Sequence, residues 1–175
     1  HIPSDISSAS FFIILTLLAK NSQILLKNIN VNRSRTGIID ILKKMNSKIT
    51  LNNKRIYKGE KIADIFVKSS SSFKAINCPT NINSRAIDEF LIIFLIAAKA
   101  KGVSYFKDLS ELNKKESPRL KIAAKFLKMI GIKVEETNHS IKIYGNPKLE
   151  LNGKYEIKNF LKDHRVFMMS CIAAL

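Results

Sequence analysis

Asp88-Glu89-Phe90-Leu91-Ile92-Ile93-Phe94-Leu95-Ile96-Ala97-Ala98-Lys99 is a run of apolar residues held between two acids and a lysine. A helix with no polar face has nothing to offer water, so this one belongs inside a fold. It falls well short of the ~20 residues that cross a bilayer, which makes it a core helix and not a span. An earlier stretch, 8–19, has the same character, and its Phe11-Phe12-Ile13-Ile14 echoes Phe90-Leu91-Ile92-Ile93.

The surroundings of the two runs are alike as well. After 8–19 come a strand-like segment at 23–29, a helix at 36–45 with Ile38, Ile39, Ile41, Leu42 and Met45 on one face, and short strands at 48–51 and 54–57 flanking Asn52-Asn53. The Asn pair predicts a hairpin turn. After 88–99 come a strand at 103–109, an amphipathic helix at 118–130, and a hairpin of 132–136 with 140–144. Ile41-Leu42-Lys43-Lys44-Met45 echoes Phe126-Leu127-Lys128-Met129-Ile130, and Arg55-Ile56-Tyr57-Lys58-Gly59 echoes Lys142-Ile143-Tyr144-Gly145. A third copy starts at Asp163-His164-Arg165. The expected fold is therefore α/β (α+β), built of repeated βαβαββ units, one across about 1–80, a second across 81–160 and a third begun at 161–175.

Composition bounds the function. With 46% hydrophobic and 25% charged residues in 175, the chain can bury a continuous core, which excludes a disordered basic tail. The net charge of +16 points to polyanions such as nucleic acid, or to small phosphorylated or carboxylated substrates. Cys78 and Cys171 form no C-x-x-C, and His1, His139 and His164 lie far apart, so no disulfide framework, metal site or cofactor is expected. Nothing at the start has the order of a signal peptide, which predicts a cytoplasmic setting. Ser69 to Ser72 and residues 77–83 read as connections. The uncapped apolar finish, Met168-Met169-Ser170-Cys171-Ile172-Ala173-Ala174-Leu175, predicts a piece of a longer chain whose other parts cover exposed apolar surface.

Each core helix follows an acidic or hydroxyl cluster containing Asp5, Asp88 or Asp163. If the repeats are related by rotation, the helix starts share one side and make an anion-binding floor. The three Asp residues then either cap helices or act on substrate. Lys114-Lys115-Glu116-Ser117-Pro118-Arg119 is the densest candidate: Ser117 as N-cap and Pro118 at the first helical position would gather Lys115, Glu116 and Arg119 at a helix start. Two cations there can hold phosphate or carboxylate, and one carboxylate can move a proton. The alternative is a solvated charge run whose Glu116–Arg119 pair contributes only ~0.2–0.5 kcal/mol.

Ile2-Pro3-Ser4-Asp5-Ile6-Ser7-Ser8-Ala9, Arg35-Thr36-Gly37-Ile38-Ile39-Asp40, Ala86-Ile87-Asp88-Glu89-Phe90, Lys115-Glu116-Ser117-Pro118-Arg119-Leu120 and Asp163-His164-Arg165 occur in the order and at the spacing of the 5-enolpyruvylshikimate-3-phosphate synthase family. The chain resembles that family over essentially its whole length. The sister transferase acting on UDP-N-acetylglucosamine shares the fold, but the Asp-x-Ser-Ser-Ala and Lys-Glu-Ser-x-Arg motifs resemble the shikimate branch.

The resemblance implies an inside-out α/β barrel lobe and a transferase that adds phosphoenolpyruvate to the 5-hydroxyl of shikimate 3-phosphate and then expels phosphate. It implies Asp88 as general base and shikimate 3-phosphate ligand, Lys115 as a second ligand of that substrate, Arg119 and Arg165 as holders of the phosphoenolpyruvate carboxylate, and Glu116 as proton shuttle at the methylene carbon. His164, orienting Glu116 or Arg165, and Asp5, shaping the site from the first repeat, are further candidates, each with a helix-start role as the alternative. The resemblance also implies that a second lobe completes the site, that this piece alone is inactive, that the complete protein is monomeric, and that neither nucleic acid nor membrane is a partner. Two departures from the family's pattern stand out: Pro118 replaces an Asp and Asn113 replaces an Arg. The rival from another class, a basic nucleic-acid-binding domain, lacks any helix-turn-helix, zinc-finger or RNP-like pattern to support it.

Overall fold

The computed structural model describes residues 2–151, 154–156 and 162–175. His1 and the boundary expected near residue 160 lie outside the described residues. The elements run α1 (Ile6–Leu18), β1 (Gln23–Asn30), α2 (Gly37–Lys44), β2 (Lys48–Tyr57), β3 (Glu60–Lys68), β4 (Phe73–Lys74), α3 (Phe90–Lys99), β5 (Ala100–Phe106), α4 (Arg119–Met129), β6 (Val134–Glu136), β7 (Ile141–Gly145) and α5 (His164–Ala174).

Two sheets repeat one topology. In the first, β1, β3 and β2 lie side by side, all antiparallel, and Ser4 adds a parallel bridge to Ile29 outside β1. In the second, the order is β4-β5-β7-β6, with β4 parallel to β5 and the rest antiparallel. Ser4 thus occupies in the first sheet the place that β4 occupies in the second, and each sheet follows a βαβαββ path. Phe73 pairs with Ala100 and Asn77 with Tyr105, so the segment after β3 already belongs to the second sheet.

The two apolar helices are where the sequence puts them. Every residue of α3 from Phe90 to Ala98 is buried, and α1, α3 and α5 touch one another. Phe90, Phe94 and Phe106 form an aromatic cluster with ring centroids 5.2–5.9 Å apart, edge-on or tilted. Each such ring removed from water contributes about 1.5–3 kcal/mol. The amphipathic α2 buries Ile38, Ile39, Ile41 and Leu42 and leaves Lys43 and Lys44 exposed, as its pattern predicts. Among the described residues, no helix is long and apolar enough to cross a membrane.

The first hairpin differs from the expectation. Residues 48–57 form one strand, not two, and its partner is β3, which the sequence reading left unassigned. The turn lies at Lys58 and Gly59, both left-handed (φ 49° and 83°), the geometry of a tight hairpin. Asn53 is left-handed too (φ 50°), but it makes a bulge inside β2 where the register slips between Asn52 and Arg55. Asn28 (φ 57°) does the same in β1. Asp64, between them on β3, accepts from the Asn28 N–H at 2.9 Å and the Asn53 Nδ2 at 2.8 Å, which satisfies both irregularities. The echo of Arg55-Ile56-Tyr57 with Lys142-Ile143-Tyr144 therefore compares non-equivalent strands, the third of one unit and the fourth of the other.

Gly145 brings β7 against the end of α3. A Cβ there would come 2.1 Å from the Ala100 carbonyl oxygen and 2.6 Å from that of Ala97, both backbone atoms that cannot swing away. Gly145→Ala should therefore lower stability by about 1–3 kcal/mol, read as an earlier denaturant midpoint with an unchanged slope. An unchanged midpoint would mean that this approach is looser than it looks.

Candidate functional site

The starts of α1, α3 and α5 meet, and the start of α4 joins them. Asp5 caps α1 by accepting from the Ser8 N–H at 2.9 Å, and Asp163 caps α5 by accepting from the Arg165 N–H at 2.9 Å. The capping alternative thus holds for these two. Asp88 is different: it sits in the turn before α3 and makes no cap bond, and its carboxylate faces cations instead.

Three cations converge on Asp88. Arg119 Nη1 donates to Oδ1 at 3.3 Å, Lys115 Nζ stands 3.7 Å from the same oxygen, and Arg165 Nη2 stands 3.8 Å from Oδ2. Arg165 Nη1 also donates to the Asp88 main-chain oxygen at 2.9 Å. Lys115 is shared with Glu111 at 3.4 Å. At ion-pair separations of 3–4 Å between partly shielded side chains such charges interact more strongly than in open water.

Arg119 is the most buried of the three cations, 1% exposed. Its Nε donates to Asp163 Oδ2 at 2.9 Å, its Nη2 donates to Asp163 Oδ1 at 3.4 Å, and Nη2 also donates to Glu116. Ser117 Oγ donates to Asp163 Oδ2 at 2.7 Å. Here the expected N-cap fails: α4 starts at Arg119 with Pro118 in the cap position and no side-chain cap bond. The buried Asp163 carboxylate takes the Ser117 hydroxyl because an unpaired charge inside costs far more than an open helix end. Burial alone would raise the Asp163 carboxyl, but the hydrogen bonds from Arg119 and Ser117 outweigh it and hold the group below the usual carboxylate value of 3.8.

The departures have a local answer. The Asp163 fork, not a residue at 118, orients Arg119. Asn113 donates from Nδ2 to the Asn138 oxygen at 3.1 Å and so ties the turn before α4 to the β6–β7 loop.

Of the remaining candidates, His164 is the exposed first residue of α5 and makes no hydrogen bond to Glu116 or Arg165 among the described residues. Asp5 pairs with Arg35 at 3.5 Å, and Arg35 Nη2 donates to Ser7 Oγ at 3.0 Å. Ser7 in turn faces the side chain of Glu89, whose other neighbour is Arg165 at 3.8 Å. A polar path thus runs from the first unit to the third. Ser7, Arg35 and Glu89 were not among the sequence's site candidates, while Ser117 was expected there only as a helix cap and Asp163 as either a cap or a group acting on substrate. The adjacent acid in Asp88-Glu89 and the Ser of Lys-Glu-Ser were the available signals, and neither says which partner it will meet.

The assembly offers a row of cations beside two carboxylates, Asp88 and the half-exposed Glu116, which is what a doubly anionic substrate and a proton-transfer step require. Among the described residues no group of three or more His, Cys, Asp or Glu is placed to hold a metal ion.

The sequence profile of the family EPSP synthase (3-phosphoshikimate 1-carboxyvinyltransferase) matches residues 1–175. The chain is 41% identical over 174 residues to the 3-phosphoshikimate 1-carboxyvinyltransferase of Thermodesulfovibrio yellowstonii, covering 99% of this chain and 40% of that one. It is 42% identical over 174 residues to the protein of that name from Geotalea daltonii, covering 99% and 39%. It superposes on an EPSP synthase from Acinetobacter baumannii with a TM-score of 0.92 at 38% identity, over 99% of this chain and 40% of that one. The enolpyruvyl transferase NikO from Streptomyces tendae, at 14% identity and a TM-score of 0.66 over 99% of this chain and 37% of that one, shares the fold. The chain spans about 40% of the length of the curated relatives it matches.

Proposed function

We propose, for a chain that belongs to the EPSP synthase family, that its helix starts supply half of a site transferring the enolpyruvyl group of phosphoenolpyruvate to shikimate 3-phosphate. The observation that carries this reading is the convergence of Lys115, Arg119 and Arg165 on Asp88. In the reading the chain forms two βαβαββ units and the opening of a third, and a second lobe from elsewhere in the protein closes over the substrates in the cytoplasm.

The chemistry follows from the arrangement. Lys115 takes an anionic group of shikimate 3-phosphate, while Arg119 and Arg165 take the phosphoenolpyruvate carboxylate with forked guanidinium pairing. Cations drawn onto substrate anions leave Asp88, and its carboxylate is then placed to accept the 5-hydroxyl proton as that oxygen attacks C2 of phosphoenolpyruvate. Glu116 gives a proton to the methylene carbon C3, which completes the addition. In the elimination Glu116 takes a proton back from C3, the C2–C3 double bond re-forms as the C2–O bond to phosphate breaks, the enol ether remains, and the proton held by Asp88 leaves with the phosphate.

The intact gene product should release one inorganic phosphate per enol ether formed when given both substrates, and none when either is omitted. Absence of phosphate release with both present would remove the reading. UDP-N-acetylglucosamine in place of shikimate 3-phosphate should give none.

A further inference from the structure

Glu89 is a charge the reaction does not use. It is 3% exposed, and its Oε1 has no hydrogen-bond partner among the described residues. A buried carboxylate oxygen left unpaired is destabilising, so its presence in the turn at the helix starts needs a reason. The groups that face it are Ser7 and Arg35 from the first unit, Asp88 beside it, and Arg165 from α5, with Oε1 3.8 Å from Arg165 Nη1. The other terminal nitrogen of that guanidinium, Nη2, stands 3.8 Å from Asp88 Oδ2. Arg165 therefore stands near two carboxylates, neither of which takes one of its N–H groups at hydrogen-bond distance. Among the described residues its guanidinium makes one hydrogen bond, to the Asp88 main-chain oxygen at 2.9 Å.

We infer that Glu89 is a positioning residue: from behind, within the core, its charge holds the Arg165 guanidinium in place while leaving its N–H groups for the carboxylate of an incoming enolpyruvyl donor. This rests on the proposed transferase reading. Burial pushes the Glu89 carboxyl above the usual range, and the Ser7 side chain and the Arg165 and Arg35 charges work against that push. The protein thus retains an acid at a place where a neutral amide of the same shape would fit more comfortably.

The test is Glu89→Gln in the intact protein, with phosphate release measured against each substrate in turn. The KM for phosphoenolpyruvate should rise about tenfold, with the KM for shikimate 3-phosphate within about twofold of the parent and a thermal midpoint unchanged or higher. In an Arg165→Lys background the same change should have less than about twofold further effect on the phosphoenolpyruvate KM, because the group it positions is already altered. Parent-like KM values for both substrates, equal rises for both, or a full tenfold effect in the Arg165→Lys background would each overturn the assignment. If the parent protein itself releases no phosphate, it is the transferase reading that fails.

Discussion

Asp88→Asn is expected to reduce phosphate release from phosphoenolpyruvate and shikimate 3-phosphate by about 10²–10⁴-fold in the intact protein, the range a positioned general base contributes. The substitution keeps shape and most of the contact surface. Asp88 caps no helix, so α3 should form as before, with a thermal midpoint close to the parent's. On the proposed reading what is lost is the proton acceptor, together with the charge around which Lys115, Arg119 and Arg165 gather. The loss should appear mainly in kcat. Steady-state kinetics decide it: activity within about threefold of the parent would leave Asp88 as a mere counter-ion and another group as the base.

Asp163→Ala should be the most damaging single change to stability within the cluster. Arg119 would keep its charge inside the protein without the carboxylate that forks onto Nε and Nη2, Ser117 would lose its acceptor, and α5 would lose its cap. Breaking a buried pair in this way costs about 3–5 kcal/mol, read as a shift of the denaturant midpoint. The pH dependence has a definite sign. The folded protein holds Asp163 below the ordinary carboxylate value, so its contribution is present above that value and is lost as pH falls through the lower, folded one. The Asp163→Asn protein should lack that part of the acid loss. Glu89 works in the opposite direction, its raised carboxyl favouring the fold in acid and losing that contribution as pH rises through the folded value. An Asp163→Ala protein as stable as its parent would show that Arg119 finds other partners.

Much of the fold was legible because it is written in local patterns. The apolar runs at 8–19 and 88–99 pointed to core helices, although Phe12 stays exposed, and the face of α2 was given by the spacing of Ile38, Ile41, Leu42 and Met45. β3 was missed for a physical reason: Ile62, Ala63, Ile65 and Val67 are buried on both faces, so no alternation marks the strand, and Asp64 breaks the run to serve two bulges. Asn52-Asn53 misled because a left-handed Asn suits a turn and a bulge equally. The two-residue β4 carries no local signal at all, since its parallel partner lies beyond a whole helix.

The candidate cluster was legible in its members but not in its wiring. Lys115, Arg119, Arg165 and Asp88 could be nominated from the motifs they sit in, whereas the Arg119–Asp163 pair spans 44 residues and follows from packing alone. The charge excess divides the same way. A few cations face the helix starts, while others lie along the second sheet, where Lys107 and Lys142 rest over Tyr105 and Lys133 over Tyr144, and nothing in the site calls for them.

The most direct test of the account is a crystal structure of the intact protein with shikimate 3-phosphate and phosphoenolpyruvate bound. It should show the phosphoenolpyruvate carboxylate within hydrogen-bond distance of Arg119 and Arg165, Lys115 on shikimate 3-phosphate, and the Asp88 carboxylate beside the 5-hydroxyl. Substrates bound away from these helix starts, with Lys115, Arg119 and Arg165 still gathered on Asp88, would contradict it.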